Sequence, residues 1–334
     1  VLVTGARGFI GKNLVQHLNQ NPSTLALSFA HNQSPSNFQK FLTKSDILFH
    51  LAGVNKPSDD ITFTKGNLEF TKFICNEIRS VFYKTGRKIP LVFSSSIHAI
   101  SDSEYGKSKK SAEQLVIDLS EEIHSPVFIC RLPNVFGKWS KPNYNSMVAT
   151  FCYNISRDLP ITVNDPNTKI KLSYIDDVIE RFLSLVNNSK SALSGTTFIS
   201  DILSYDTTVG EVAEKLRKFH ENRDRNYIEN VGCGFLRALY STYISFLPEE
   251  KFAYPLKSHV DDRGSFVEFL RTQGSGQVSF FTALPGKTRG EHYHHTKTEK
   301  FLVLEGEAIF VFRNLDNGQT LKIKTNGKRS TVVE

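Results

Sequence analysis

Short apolar runs alternate with amphipathic stretches along the first two-thirds of the chain. "VLVTG" at the start reads as a strand, and Lys12 to Asn19 reads as a helix. "LALSFA" (25–30) and "ILFHLAG" (47–53) read as strands, with a helix from Ser36 to Thr43 between them. "IPLVFSSS" (89–96) is a further strand, 107–121 a helix, and "PVFICRLPNVFG" (126–137) a strand again. This βα rhythm predicts a parallel, doubly wound α/β sheet.

After Val209 the segment "GEVAEKLRKFHENR" is helical in period and strongly charged, and residues 227–255 read as a connector carrying an apolar helix. From "DDRGSFVEF" onward the pattern changes to β-runs with Gly-rich turns: "QVSFFTAL", "KFLVLEGEAIFVF" and "LKIK". That is an all-β module. The boundary falls near 245–255, giving one domain over residues 1–245 and a second over 246–334. Both ends read as cut, since the chain begins inside a strand without a methionine and stops at "TVVE" with strand-like residues still running.

A chain of 334 residues with 39% hydrophobic and 22% charged positions is expected to be a soluble protein with room for two cores. No apolar run approaches the roughly 20 residues of a membrane span, and no signal segment precedes the first strand. The expectation is a cytoplasmic protein with no membrane partner. Cys75, Cys130, Cys152 and Cys233 are scattered without a CxxC pair, which points to buried free thiols. The net charge of +7 is spread along the chain, with no aromatic-studded basic stripe, so nucleic acid is not the expected partner. An anionic small molecule suits that balance.

Gly5, Gly8 and Gly11 follow a strand and open a helix. Glycines there let the backbone turn tightly and approach a pyrophosphate seated at the helix N-terminus. An NAD-preferring site usually ends its second strand with an acidic residue, yet residues 1–45 contain none. Arg7 and His31 could instead receive a 2′-phosphate, so NADPH is the expected cofactor. Tyr105 and Lys109, four apart on a predicted helix, share one face. A lysine beside a tyrosine favours the phenolate and tunes its pKa toward neutral. The "SSS" run at a strand end supplies a serine for the same carbonyl oxygen.

With those residues in order, positions 1 to about 200 resemble the extended short-chain dehydrogenase/reductases that modify nucleotide sugars. "TGARGFIG", "HLAG" (50–53), Asn67, "SSS", "YGKSK" and "RLPNVFG" (131–137) carry the resemblance. It implies a Rossmann-type fold in which the loop from Gly5 to Gly11, with Arg7, Phe9 and Ile10, cradles the cofactor. By the same resemblance Leu51 and Ala52 flank it, Tyr105 is the acid/base, and Lys109 orients both the tyrosine and the nicotinamide ribose. Asn134 would face the sugar nucleotide, and the helix carrying YxxxK would form a homodimer. Two departures stand out. A strand–helix unit common in the family has no room between His31 and "SDILFHLAG", and only nine residues separate Ser96 from Tyr105. Ser96 is the expected catalytic serine, with Ser95 its rival.

In the β module, Gly286, His292, His294, Glu299 and Gly306 match the first motif of the cupins, a jelly-roll family. Two histidines two apart on a strand face one side, and a carboxylate returning from the next stretch completes a donor set suited to Zn²⁺ or another divalent ion. The second cupin motif is absent from these residues, so the coordination cannot be completed from them. "DDRGSFVEF" and "TRGEHYHH" also resemble sugar-nucleotide 3,5-epimerases, in which the RGxH histidine is a base. His292 is therefore a ligand or a base.

The order of the two modules resembles bifunctional enzymes of capsular-polysaccharide synthesis. That resemblance implies a UDP-2-acetamido-2,6-dideoxy-4-keto-hexose whose C3 is inverted by the cupin and whose C4 is reduced with NADPH. The product would be UDP-N-acetyl-6-deoxy-L-talose, on the way to UDP-N-acetyl-L-fucosamine. The alternatives are a 4-epimerase or dehydratase with a passive cupin, and a sugar- or redox-sensing binding protein.

Overall fold

A computed structural model describes residues 1–30, 33–54, 64–188, 194–274 and 276–334. They form two compact units, Val1–Ser258 with Val267–Phe280, and His259–Phe266 with Phe281–Glu334.

In the first unit, β1 (Leu2–Thr4), β2 (Leu27–Phe29), β3 (Leu48–His50), β4 (Leu91–Ser96), β5 (Pro126–Leu132) and β8 (Gly195–Ile199) make a sheet ordered β2-β1-β3-β4-β5-β8. All its pairings are parallel. Side chains alternate across a strand, so each face needs its own apolar set. Val3, Phe49 and Val92 pack on one face with Leu14 and Leu18 of α1 (Phe9–Gln20) and Phe182 of a later helix. Leu2, Leu48, Leu91 and Phe93 pack on the other, against α2 (Pro35–Thr43), α3 (Phe70–Thr85) and α4 (Glu104–Ile123) through Phe38, Ile74, Ile78 and Val116. Burial on both faces is why these strands read as near-continuous apolar runs. β2 is the edge strand, so no further strand lies beyond it among the described residues. The chain turns outward to β2 and then back to β3, leaving a crevice above the carboxyl ends of β1 and β3 where such sheets bind ligands.

The run 126–137 is not one strand. Pro133 has no N–H to give a ladder, and the chain breaks there into β5 and β6 (Asn134–Phe136). β6 joins a separate sheet, parallel to β7 (Lys169–Tyr174), which is antiparallel to β9 (Tyr205–Thr208). α5 (Met147–Ile155), α6 (Ile175–Asn188), α7 (Val209–Asp224) and α8 (Gly234–Ile244) complete the unit. Phe182 lies on α6, and α7 opens with a capping box between Thr208 and Glu211. β10 (Tyr227–Ile228) pairs with the far end of β12 (Gly264–Thr272).

β11 (Ser258–Asp261) and β13 (Gln277–Phe281) both pair with β12, and the second unit is rich in strand. β14 (Phe301–Leu302) pairs with β17 (Val332–Val333), and β15 (Glu307–Arg313) with β16 (Thr320–Asn326), all antiparallel. The predicted run "KFLVLEGEAIFVF" is split at Gly306, whose φ of 78° breaks the pleat. Cys75, Cys130 and Cys152 are buried free thiols, but Cys233 is exposed at the N-cap of α8, contrary to expectation. Among the described residues no helix is long and apolar enough to cross a membrane.

Candidate functional site

α1 starts at Phe9, earlier than the sequence pattern suggested, because the amide of Lys12 closes the first turn on the carbonyl of Gly8 at 2.8 Å. Two glycines make the approach possible. Gly5 has φ +68°, and a Cβ on it would lie 2.7 Å from the backbone nitrogen of Ala52. A Cβ on Gly11 would lie 2.2 Å from the carbonyl oxygen of Gly5. The β1–α1 turn, the first turn of α1 and the end of β3 are thus in backbone contact. The first-turn amides of a helix have no intrahelical acceptor, and the aligned peptide dipoles favour an anion there. No acidic residue opposes this in the first turn of α1. Beneath the loop, Asn13 is fully buried and its Oδ1 has no hydrogen-bond partner, while Nδ2 donates to the carbonyls of Phe9 and Lys138. Arg7 is exposed, Phe9, Ile10, Leu51 and Ala52 are half-buried, and His31 lies outside the described residues. This glycine cradle fits the pyrophosphate of a dinucleotide.

The catalytic candidates come from β4 and the start of α4. Ser103 caps α4 by accepting from the amide of Gly106 at 3.0 Å. A Cβ on Gly106 would stand 2.4 Å from the carbonyl of His98, so glycine lets this turn rest on the helical turn Ile97–Ile100. That seats Tyr105 with its hydroxyl hydrogen-bonded to Ser96. Ser96 also accepts from the amide of His98 at 3.1 Å. Ser95 is turned elsewhere, donating to Glu113, which is buried and grips Arg131 at 2.9 and 2.6 Å.

Lys109 is 6% exposed, and its Nζ donates to the carbonyl of Ser94 at 3.0 Å, beneath the Phe93 ring centroid at 5.3 Å. Burial lowers its pKa to about 8, against the opposing pull of the Glu113 carboxylate. The expected lowering of Tyr105 by Lys109 is not what the geometry gives. Burial raises the tyrosine above its ordinary value, and only the Ser96 hydrogen bond opposes that. The lysine ammonium is engaged by Ser94 instead. Tyr105 is therefore a neutral phenol at physiological pH, which makes it a proton donor.

The turn after β3 closes this site from the side. A Cβ on Gly53 would lie 3.0 Å from Asn67 Oδ1 and 3.2 Å from Lys109 Nζ, so the "HLAG" glycine packs on the lysine. Asn134 is exposed at the start of β6. Glu113 and His50 belong to the site's support; Glu113 was not singled out in the sequence, and His50 only as the first letter of "HLAG". Glu113 had a signal, standing four residues beyond Lys109 on the same helix face. His50 had its place in an apolar strand and in the "HLAG" motif, but nothing that named its partners.

In the second unit, residues 287–300 form no strand, because Gly286, Gly290 and Glu291 all have positive φ. His292 and His294 still stand together, with ring centroids 4.8 Å apart, and His294 Nε2 is 3.8 Å from Glu299 Oε1. Glu299 is held by Lys297 at 2.7 Å, which with the two histidines lowers its pKa. The donor types suit a divalent ion, but no three His, Cys, Asp or Glu side chains converge on one point among the described residues. The geometry does not assemble a Zn²⁺ ligand set. His292 Nδ1 lies 2.9 Å from the carbonyl of Gly290, which can only accept, so Nδ1 carries a proton, and in the neutral ring Nε2 is the nitrogen with the lone pair.

Comparison with known proteins agrees with this layout. Residues 1–199 match the NAD dependent epimerase/dehydratase family, and residues 259–334 match the polysaccharide biosynthesis C-terminal domain. The chain is 49% identical, over its full length and 88% of the relative, to UDP-2-acetamido-2,6-beta-L-arabino-hexul-4-ose reductase of Pseudomonas aeruginosa. The crystal structure of the capsular polysaccharide assembling protein CapF from Staphylococcus aureus superimposes with a TM-score of 0.89 at 38% identity, covering 99% of this chain and 88% of that one. UDP-glucose 4-epimerase of Thermus thermophilus in complex with NAD shares the fold alone, with a TM-score of 0.59 at 16% identity over 73% of this chain and 98% of that one. With the glycine cradle, the Ser96–Tyr105 pair and Lys109 in place, this chain belongs to the NAD dependent epimerase/dehydratase family and carries a polysaccharide biosynthesis C-terminal domain.

Proposed function

We propose that the first unit reduces the C4 ketone of a UDP-2-acetamido-2,6-dideoxy-4-keto-hexose with NADPH, and that the second unit inverts C3 of the same sugar. The observation that carries the reductase reading is the Tyr105 hydroxyl, bonded to Ser96 and kept protonated by burial. The likeness to the Pseudomonas aeruginosa reductase supports the substrate class.

Gly5, Gly8 and Gly11, with the first-turn amides of α1, would hold the pyrophosphate, and Leu51 and Ala52 would flank the rest of the cofactor. The bound nicotinamide supplies the hydride that the ketone carbon receives. Ser96 donates a hydrogen bond to the ketone oxygen and polarises it. Tyr105 gives its proton to that oxygen as the alkoxide develops, and water later restores the phenol. Lys109 presents a buried ammonium, anchored on the Ser94 carbonyl, that steadies the nicotinamide ribose, and the Ser96 hydrogen bond stabilises the transient tyrosinate. Arg7 and His31 favour the phosphorylated cofactor, and Asn134 faces the sugar nucleotide. A homodimer through α4 goes with this assignment.

At the second unit, His292 Nε2 removes the proton at C3, which the neighbouring ketone makes acidic, and water returns a proton to the opposite face of the resulting enolate, which inverts the centre. No step is assigned to a metal there. The working order is C3 first, because the reductase destroys the ketone on which that acidity depends. The test is to supply the 4-keto UDP-sugar with NADPH and follow nicotinamide absorbance and the sugar product together. Stoichiometric oxidation of NADPH with formation of a 4-hydroxy sugar supports the reading. Turnover without net NADPH consumption, on a tightly retained NAD, would instead identify a 4-epimerase.

A further inference from the structure

Below the site, three fully buried side chains, Thr4 on β1, His50 on β3 and Thr71 on α3, join in a line that the reduction chemistry does not use. Thr4 Oγ1 is 3.0 Å from His50 Nδ1, and His50 Nε2 is 2.9 Å from Thr71 Oγ1. The direction of these bonds follows from what each end must do. Thr71 donates its only hydroxyl proton to the carbonyl of Asn67 at 2.6 Å, so toward the imidazole it can only accept. His50 therefore carries its proton on Nε2, and Nδ1 is the acceptor. Thr4 must donate into Nδ1, which leaves its oxygen free to accept from the amide of Ala52 at 3.4 Å. Every donor then points one way, from Ala52 through Thr4, His50 and Thr71 to Asn67.

Both ends of that line touch the site. Ala52 is in the turn that flanks the cofactor. Asn67 clasps Val54 at 2.9 and 3.1 Å and holds Ser108 of α4 at 3.1 Å, and Ser108 lies between Tyr105 and Lys109. A second route runs through the backbone: Ser94 Oγ donates to the carbonyl of His50 at 3.2 Å, and Lys109 Nζ donates to the carbonyl of Ser94. Phe70 and Phe93 pack against the ring, with centroids 5.5 and 5.4 Å away. Burial and the nearby Lys109 charge lower the pKa of His50 to about 3, so the ring stays neutral at working pH. A cation would carry protons on both nitrogens and reverse the bond at Thr4.

We infer that His50 is a positioning residue for the reduction: its neutral imidazole, bonded at both nitrogens, fixes the spacing between the cofactor-flanking turn Leu51–Gly53 and the start of the helix that carries Tyr105 and Lys109. This rests on the reductase assignment for its kinetic consequence, though not for its structure. Leucine or phenylalanine could fill the same volume; neither could hold two hydroxyls at opposite ends of one ring. Misplacing reacting groups by about 1 Å costs on the order of 10²-fold in rate.

The test uses the full chain. Nitrogen–proton NMR of the imidazoles should show one histidine with a slowly exchanging Nε2–H, an unprotonated Nδ1 and no titration between about pH 5 and 9. A cationic ring, or the opposite tautomer, would overturn the inference. In kinetics with NADPH and the 4-keto UDP-sugar, His50→Phe should lower kcat by about 10²-fold while the sugar KM stays within about threefold. The primary isotope effect with deuterium-labelled NADPH should rise, because hydride transfer becomes limiting. A folded His50→Phe protein whose kcat falls without any change in that isotope effect would contradict a positioning role. If His50→Phe does not fold, Thr71→Val leaves the ring in place and removes one acceptor. It should speed exchange of the Nε2 proton and lower kcat, and unchanged values for both would refute the inference. Should wild-type protein reduce no 4-keto sugar, the reductase reading fails by itself. The imidazole spectrum and NADPH binding by His50→Phe would still decide whether the ring sets the turn.

Discussion

Gly11→Ala sets two backbone effects against each other at the cofactor cradle. Alanine improves helix propensity by about 0.8–1.0 kcal/mol in a helix interior. Its Cβ would however sit 2.2 Å from the carbonyl oxygen of Gly5, and 2.8 Å from both the Cα of Ala6 and the carbonyl carbon of Gly5. Ordinary contacts lie near 3.5–4.0 Å, so α1 must retreat from the loop by about 1.3 Å or more. All three obstructing atoms are backbone, so no side chain can swing aside. Overpacking of this kind costs typically 1–3 kcal/mol, which exceeds the propensity gain. The same retreat draws the first-turn amides away from the pyrophosphate. Losing one charge-assisted hydrogen bond costs about 1.5–3 kcal/mol, or tenfold or more in affinity. Thermal melting and NADPH fluorescence titration read the two effects separately. Gly86→Ala is the control: it closes α3 with φ +70° and has nothing within 4 Å of its would-be Cβ. It should cost about 1–2 kcal/mol of conformational strain and leave NADPH binding unchanged. A Gly11→Ala protein that melts higher than wild type and binds NADPH normally would refute the packing argument.

Tyr105→Phe keeps the ring and deletes the proton, so reduction should fall by about 10²–10⁴-fold while NADPH titration is unchanged; near-normal turnover would remove Tyr105 from the mechanism. The Lys109 ammonium should be lost as pH rises through about 8, giving an alkaline limb in the reduction rate. Because the Glu113 carboxylate raises the Lys109 value, Glu113→Gln should move that limb to lower pH, and a limb that stays put would dissociate it from Lys109. In stability the sign is opposite to the usual lysine case. Between about 8 and the ordinary 10.5 the unfolded chain binds a proton that the folded one does not, so this group makes stability rise with pH in that window. Arg7→Ala should weaken NADPH binding by about 1.5–3 kcal/mol and leave NADH binding nearly unchanged; an equal loss for both cofactors would place Arg7 away from the 2′-phosphate.

The parallel sheet was legible because its physics is local. Strands such as "LVFSSS" and "LFH" are buried on both faces and cannot disguise their apolar runs. Gly5, Gly8 and Gly11 were readable for the same reason, since only glycine permits backbone to touch backbone there. Long-range geometry was not readable. Nothing in "SSS" says that Ser95 meets Glu113 while Ser96 meets Tyr105; that depends on where α4 crosses β4. The effect of Lys109 on Tyr105 was misjudged because spacing on a helix face does not reveal that Ser94 takes the ammonium. Period alone also suggested one strand over 126–137, though Pro133 marked the break. In the β module, the His292–His294 spacing suggested a strand, and the positive φ of Glu291, a residue with no glycine-like signal, undid it.

The reductase claim is tested most directly by where a labelled hydride goes. Full chain, 4-keto UDP-sugar and NADPH carrying deuterium at the transferable position are incubated in ordinary water, and the sugar product is read by NMR. One deuterium should appear at C4 of a 4-hydroxy sugar, in amount equal to the NADPH oxidised, and its appearance should slow by about 10²–10⁴-fold with Tyr105→Phe. A ketone returned without C4 label, or label lost to solvent while NADPH persists, would contradict hydride delivery by this site.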